Sequence, residues 1–270
     1  MEYQKGEAKL EIGDARTKYI PATVSETSSI AMPLPGYTKE DGRALPKSFL
    51  VIFSGGMRRE EDYFSVIENN PDKFLSLKIK FYVEDRYKKQ HEPLLFELAL
   101  NKVDEYNGSS DPDTPDDFFL LTDVDLFMPH IMAYKQRFEQ KGINLIVNNP
   151  CLEVWLYYSK RNDRFVGFVP PTNPDALSDR VKKFVHAQTG GVHPKKAIFD
   201  IKANIANARA NYLEDENGIP NVFSTNMFLL AERMLPLIED GLQVVIAERN
   251  KRAEMARRGN TDGSGFHGSS

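Results

Sequence analysis

Apolar runs and helical periodicities alternate along the chain from about residue 47 onward. Residues 49–53 form a continuous apolar run that stops at Ser54-Gly55-Gly56, a pattern typical of a strand that is buried on both faces and ends in a tight turn. The same reasoning predicts strands over 77–83, 118–123 and 143–147, and helices between the strands over 60–70, 93–106 and 128–140. Because strands alternate with helices over short connections, the expected fold class is α/β, with a mainly parallel, Rossmann-like sheet covered by helices. Functional loops of such a sheet lie at the carboxyl ends of its strands.

The rest of the chain forms three further parts around this core. Residues 1–46 mix charged stretches with Ser, Thr, Pro and Gly, and predict an N-terminal extension that wraps the domain or stays mobile. The α/β core follows over 47–160, a helical continuation over 161–240, and a C-terminal helix with a flexible tail over 241–270. Asn149-Pro150 predicts a helix start, because asparagine caps helices and proline suits their first turn. Further helices are predicted over 200–213, 224–240 and 242–257.

Composition narrows the class of protein. The 270 residues have an ordinary globular composition, enough for one α/β domain and an appendage. Cys151 is the single cysteine, which excludes an intramolecular disulfide and a cysteine-rich zinc site and suits a reducing compartment. The first residues lack the pattern of a signal peptide, and no apolar run approaches the roughly 18 residues of a membrane span. We therefore expect a cytoplasmic protein that has no membrane contact.

The overall charge of the chain means that any binding of nucleic acid would depend on local basic patches. The net charge is −4, so the chain has no global basic field of the kind that coats DNA non-specifically. Clusters of Lys and Arg either contact phosphate or form ordinary solvated faces. They are Arg58-Arg59, Lys182-Lys183, Lys195-Lys196 with Lys202, and the basic residues of 249–258.

The first candidate for chemistry is the segment Asp123-Val124-Asp125, at the end of a predicted buried strand. Side chains alternate along a strand, so Asp123 and Asp125 are expected to project in similar directions. Two carboxylates can share Mg²⁺, which also takes water and phosphate oxygens and so suits phosphodiester chemistry. The alternative is local turn chemistry, in which an aspartate bonds to nearby backbone donors.

Other polar features follow neighbouring strands. Ser54-Gly55-Gly56 either lets backbone amides approach a phosphate or is a purely structural turn, and it lacks the Gly-Lys-Ser/Thr ending of a P-loop. Glu60, Glu61 and Asp62 fall in the first turn of a helix, where acids favour the macrodipole. Glu153 lies just beyond another strand and either completes an acidic cluster or has the same dipole role. Cys151 is expected to be a buried thiol.

Several segments, in order and spacing, resemble the successive signatures of RloB-type proteins. They are residues 49–64, residues 122–127, the specific block Asn149-Pro150-Cys151-Leu152-Glu153-Val154-Trp155-Leu156, and Ser224-Thr225-Asn226-Met227. RloB-type proteins are similar to Toprim domains, the fold of topoisomerases, primases and related nucleases, and relatives serve in antiphage abortive infection beside an ABC- or AAA-type ATPase. The resemblance, over about residues 47–237, implies a Toprim-like core and a nuclease effector that uses Mg²⁺ or Mn²⁺. It also implies nucleic acid (RNA such as tRNA, or DNA) and an ATPase as partners.

The chain departs from this family pattern at one important position. The Toprim pattern places a glutamate directly after the first strand, where this chain has Gly55-Gly56. That glutamate is expected to transfer protons while the aspartate pair holds Mg²⁺, so the departure concerns proton transfer more than metal binding. Glu60 matches a second acidic position of the RloB motif and is a candidate substitute. The histidine that tends to follow the Trp block is also replaced, near Ser159-Lys160.

Two hypotheses from different classes follow. The first is a Mg²⁺-dependent nuclease, with metal held by Asp123 and Asp125, catalysis assisted by Glu60 or Glu153, and phosphates contacted by Arg58, Arg59 and Lys202. The second is a catalytically inactive RloB-like binding or regulatory subunit of an ATPase-containing defence complex, for which Gly55 is the main support. A nucleotide-handling phosphotransferase ranks last, because no lysine motif cradles phosphate. The sequence leaves open RNA or DNA, the trigger, and whether Gly55 is the natural residue. It also leaves open the oligomeric state, and it is compatible with a homodimer.

Overall fold

Four parallel strands form the centre of one sheet. The computed structural model describes residues 23–27, 48–56, 58–85, 94–109 and 114–261. Its strands are β1 (Thr23–Thr27), β2 (Ser48–Ser54), β3 (Leu77–Asp85), β4 (Asp117–Asp123), β5 (Ile143–Asn149) and β6 (Ser224–Thr225). They lie in the order β1-β3-β2-β4-β5-β6. Strands β2 to β5 run parallel to one another, whereas β1 pairs antiparallel with β3 and β6 pairs antiparallel with β5 at the two ends of the sheet.

Eight helices accompany these strands in the described part of the chain. They are α1 (Arg59–Glu68), α2 (Leu94–Gly108), α3 (Val124–Lys141), α4 (Glu153–Tyr158), α5 (Leu177–Thr189), α6 (Pro194–Ala197), α7 (Ile201–Ala210) and α8 (Met227–Thr261). Short 3₁₀ turns precede α5 and α7, at Pro174–Ala176 and Ile198–Asp200. None of the helices described here combines the length and the apolar character that crossing a bilayer requires.

The sheet is covered on both faces, and alternate residues of β2 show how. Leu50 and Ile52 pack into a core that contains residues of α1, α4, α5, α7 and α8. Phe49, Val51 and Phe53 pack into a second core, with residues of α2 and α3. A strand buried on both faces has no polar side, which is why its sequence reads as one apolar run. The predicted α/β class, with a mainly parallel sheet covered by helices and a helical C-terminal part, is confirmed.

The strand order reverses between β2 and β4. From β2 the chain crosses through α1 to β3 on one side, and from β4 it crosses through α3 to β5 on the other. The two loops therefore diverge and leave a crevice outside the carboxyl ends of β2 and β4, the usual ligand-binding place in an open α/β sheet. This topological switch point brings Gly55 and Asp123 to the same edge.

The predicted helix start at Asn149-Pro150 is wrong. Asn149 is the last residue of β5, its peptide bond with Pro150 is cis, and α4 begins at Glu153. The side-chain amide of Asn149 donates to the carbonyl of Pro220 at 2.7 Å, and Asn149 pairs with Ser224 of β6. This residue is therefore engaged in the sheet and with the segment before β6, rather than in a helix cap.

The two C-terminal helices predicted over 224–240 and 242–257 are one helix, α8. Its buried residues form a stripe at helical spacing that continues past Gly241, namely Leu230, Met234, Ile238, Leu242 and Val245. Burial of this stripe offsets the cost of Pro236 inside the helix. The domain boundary expected between residues 240 and 241 lies inside α8, and β1 belongs to the N-terminal extension expected over 1–46.

The Asn226 side chain is hydrogen-bonded to the edge of β5 where the short ladder between β5 and β6 ends. Its amide oxygen accepts from the Val147 backbone N–H at 2.6 Å, and its NH₂ group donates to the Leu145 carbonyl at 2.9 Å. The Asn226 backbone N–H also donates to the Val147 carbonyl, at 3.3 Å. One residue thus satisfies backbone groups that a neighbouring strand would otherwise pair.

Candidate active site

The ends of β2 and β4 meet at the switch point. The Gly55 backbone N–H donates to the Leu121 carbonyl at 3.0 Å, which keeps the two strand ends in register. Asp123 is the last residue of β4 and also the residue before α3, with extended backbone angles. Its side chain makes no capping hydrogen bond to the helix. Local helix capping therefore does not explain this aspartate.

Asp125 does not share the strand geometry expected for it. The helix α3 begins at Val124, so Asp125 lies in the first helical turn rather than two residues along a strand. The alternation argument that placed the two carboxylates on one side of a strand is therefore wrong. The side chain of Asp125 lies outside what the structure describes, and its metal-binding role stays a prediction.

The carboxylate at the end of β2 comes from Glu60. This residue is buried in the first turn of α1, and its carboxylate lies over Gly56, in the space that a β-carbon on Gly56 would occupy. The turn beneath it is held by Ser54, whose Oγ accepts from the Gly56 N–H at 3.2 Å. The absence of a side chain at Gly56 is thus what allows Glu60 to lie at the strand end.

Gly55, the position of the missing family glutamate, is buried and has little room for a side chain. A β-carbon here would lie 3.2 Å from an edge atom of the Phe127 ring and 3.6 Å from Thr122 Oγ1. A side chain at this position requires Phe127 to move by a few tenths of an ångström. The local packing therefore fits a glycine with a carboxylate supplied from Glu60.

Glu153 is almost completely buried, with 2% of its surface exposed. It lies in the first turn of α4 and forms an ion pair with Arg59 of α1, whose side chain is 50% exposed. Arg59 is thus paired with a protein carboxylate. If Arg59 contacts a phosphate, it does so while it is paired with Glu153. The exposed Arg58 precedes α1 beside the glycine turn.

Cys151 connects these carboxylates electrostatically. Burial raises the pKa of its thiol well above the ordinary value, and the negative charges of Glu153 and Asp123 raise the pKa further. Both carboxylates therefore lie close enough to Cys151 to act on the same group. The positive charge of Lys182 in α5 acts in the opposite direction on this pKa. The prediction of a buried thiol is confirmed.

Sequence reasoning missed two residues behind Asp123. The Asn148 side-chain amide donates to Asp123 Oδ1 at 3.2 Å, and the Thr225 hydroxyl donates to Asn148 Oδ1 at 2.7 Å. Both side chains are fully buried. The available signal was polar residues where an apolar strand pattern ends, at 148–149 and at 224–226.

Lys202, the third predicted phosphate contact, lies in α7. Its ammonium group forms an ion pair with Glu239 of α8. This places it beside a shallow cavity between α7 and α8 that is also lined by Leu235 and Leu242. Its role toward nucleic acid stays a prediction.

The donor set at the switch point fits a hard cation only in part. Among the side chains that the structure describes, no three His, Cys, Asp or Glu residues converge as a ready-made ligand set. Mg²⁺ does not need one, because it is commonly bound through one or two carboxylates while water and substrate phosphates complete its shell. Asp123, half-buried at the mouth of the crevice, is the described carboxylate with the chemistry and position for that task.

Fold and site together define a mainly parallel α/β protein with carboxylates at the carboxyl ends of the two strands that flank its switch point. The model of the RloB-like protein family matches residues 50–234, more than half of the chain. The chain belongs to the RloB-like family, and the resemblance noted in its sequence is confirmed. No curated protein and no solved structure matches it.

Proposed function

We propose that this protein is a Mg²⁺-dependent nuclease that cuts RNA, such as tRNA, or DNA as an effector of antiphage abortive infection. The observation that carries the proposal is the placement of Asp123 and the Glu60 carboxylate at the ends of neighbouring parallel strands, at the switch point. Ligand sites of open α/β sheets lie here. Membership of the RloB-like family supports the defence role.

Each residue has a proposed task in phosphodiester hydrolysis. Asp123, with Asp125 as the predicted second ligand, holds Mg²⁺, which when bound neutralises charge that develops on the phosphate. Glu60 exchanges a proton with the attacking water or the leaving oxygen, in place of the family glutamate absent at position 55. The buried Glu153 assists through its pair with Arg59.

The substrate contacts follow from charge. Arg58 is exposed at the start of α1, where its guanidinium can meet a phosphate that approaches the glycine turn. Arg59, which pairs with Glu153, and Lys202, which pairs with Glu239, are the further candidates. The chain is acidic overall, so recognition of nucleic acid rests on such local cations.

The cleavage test uses purified protein with tRNA, single-stranded RNA and duplex DNA in Mg²⁺ or Mn²⁺. We expect cutting by the original chain, loss of at least about 100-fold with Asp123→Asn, and a similar loss with Glu60→Gln. Glu61→Gln is the matched control, because Glu61 lies in the same helical turn and is only half-buried. Equal activity of the original chain and Asp123→Asn would exclude this site.

A second candidate function is a catalytically inactive subunit that binds an ABC- or AAA-type ATPase. Gly55, in place of the family glutamate, favours it. In that case the original chain does not cut, and Gly55→Glu, combined with Phe127→Leu to relieve the ring contact, gains cutting. Co-purification with the ATPase, and the phage yield from infected cultures that carry Asp123→Asn, separate a catalytic defence role from a binding role.

A further inference from the structure

We propose that Asn148 and Thr225 are positioning residues, which hold the Asp123 carboxylate in the orientation that binds the cation. The inference rests on the proposed metal site and deepens it. It assigns a task to β6, which contains two residues in this structure.

The hydrogen bonds form a continuous chain from the start of α8 to the site. The Met227 backbone N–H donates to Thr225 Oγ1 at 3.0 Å, the Thr225 hydroxyl donates to Asn148 Oδ1 at 2.7 Å, and Asn148 Nδ2 donates to Asp123 Oδ1 at 3.2 Å. Because the Asp123 carboxylate can only accept, the Asn148 NH₂ group faces it, and Asn148 Oδ1 is left to accept from the Thr225 hydroxyl. The Asn148 amide is thereby oriented with its NH₂ group toward Asp123.

The strand pairing places these groups. Asn148 pairs with Asp123 in the parallel β4–β5 ladder and with Thr225 in the antiparallel β5–β6 ladder. Both Asn148 and Thr225 have no exposed surface. A flipped Asn148 amide would place its oxygen against the Asp123 carboxylate, and a rotation of the side chain away from Asp123 would leave buried polar groups unpaired. The arrangement therefore has one orientation.

The kind of donor matters for a cation site. Asn148 is neutral, so it fixes one oxygen of Asp123 without compensating the negative charge, and the carboxylate keeps its attraction for Mg²⁺. Glu153 is different, because the Arg59 guanidinium already balances its charge. Glu153 is buried and already paired, whereas Asp123 is half-buried at the crevice, so Asp123 is the better placed metal ligand.

The test measures Mn²⁺ binding to the full chain by electron paramagnetic resonance, without any substrate. Thr225→Val removes the hydroxyl at nearly constant volume, and we expect the Kd for Mn²⁺ to rise about 10-fold, as for other outer partners of metal ligands. Thr225→Ser keeps the hydroxyl and is expected to bind like the original chain. Ser224→Ala is the matched control, because the Ser224 hydroxyl bonds to Leu213 and Arg164 instead.

The outcomes separate this inference from the proposed function. If Asp123→Ala abolishes Mn²⁺ binding but Thr225→Val leaves the Kd unchanged, the positioning role is overturned and the metal site stands. If the original chain shows no Asp123-dependent binding, both fail. Thr225→Ala serves if Thr225→Val does not fold. Recovery of cutting rate at high Mn²⁺ concentration in the variant would further separate weakened metal binding from general damage.

Discussion

Gly56→Ala moves the Glu60 carboxylate without changing its chemistry. A β-carbon on Gly56 would overlap all three atoms of that carboxyl group, so the group has to leave its present position by at least about 1 Å. The backbone of Gly56 lies outside the left-handed region, so alanine is not strained there. The displaced atoms are the end of a flexible side chain, so the fold can accommodate the change.

The structure sets the expected magnitudes. A misplacement of about 1 Å in a catalytic group costs about 100-fold in rate, so we expect that loss in kcat for Gly56→Ala. Stability is expected to change by less than about 1 kcal/mol, because alanine restricts the unfolded chain while some Glu60 packing is lost. Mn²⁺ affinity is expected to stay within about 3-fold, since Asp123 lies on a different strand.

Single-turnover cleavage at saturating Mg²⁺ measures the effect. Gly56→Ala, Glu60→Gln and the double variant are compared, and we expect the double variant to be no slower than Glu60→Gln alone. A Gly56→Ala protein that cuts at the original rate while Glu60→Gln is slow would refute the argument. It would mean that Glu60 acts from a position other than the one over Gly56.

Three further predictions concern stability. Arg59→Met leaves the buried Glu153 carboxylate without its counter-charge and is expected to lower the free energy of unfolding in urea by about 1–3 kcal/mol. The same change in a Glu153→Gln background should cost clearly less. An equal cost in both backgrounds would contradict the ion-pair explanation. Gly241→Ala brings a β-carbon against the backbone carbonyl of the turn before β3 and is expected to lower the free energy of unfolding by about 1–3 kcal/mol. A β-carbon on Gly108 would have nothing within 4 Å, so Gly108→Ala should not destabilise the protein. Similar melting temperatures for the two variants would refute this packing argument. Burial, reinforced by a nearby carboxylate, raises the pKa of Glu68 to about 7, so its contribution to stability is full below about pH 4.5 and is lost as pH rises through 7. Glu68→Gln is therefore expected to gain about 1 kcal/mol at pH 8.5, a figure reduced for partial exposure, and little at pH 5; an equal gain at both pH values would show that the raised pKa is not the cause.

The parts of the fold that local pattern determines were predictable. Strand β2 was recognisable because its centre, residues 49–53, is buried on both faces and contains only apolar residues. The alternation with helices predicted the parallel sheet and its functional edge. The local sequence pattern gave wrong predictions where long-range packing determines the structure. The apolar stripe of α8 continues past Gly241, and no local signal showed that this glycine packs against the turn before β3 rather than ending a helix.

The candidate site divides in the same way. Asp123 was identified because it follows a buried strand in the sequence, and Glu60 because it matches a second acidic position of the RloB motif. The partners Asn148 and Thr225 are 77 residues apart, and their hydrogen bond depends on a strand of two residues that no periodicity predicts. The position of the Glu60 carboxylate depends on the empty space at Gly56, which appears only when helix α1 is packed on the sheet.

The amide of Asn226 has a consequence for how copies of this chain can meet. An open strand invites another molecule to add its own strand, which is a common route to aggregation and to dimers with a shared sheet. Here the Leu145 carbonyl and the Val147 N–H and carbonyl on that side of β5 are already occupied by a side chain and backbone of the same chain. Self-association through a continuous sheet is therefore blocked at this boundary, and a homodimer would have to form through other surfaces.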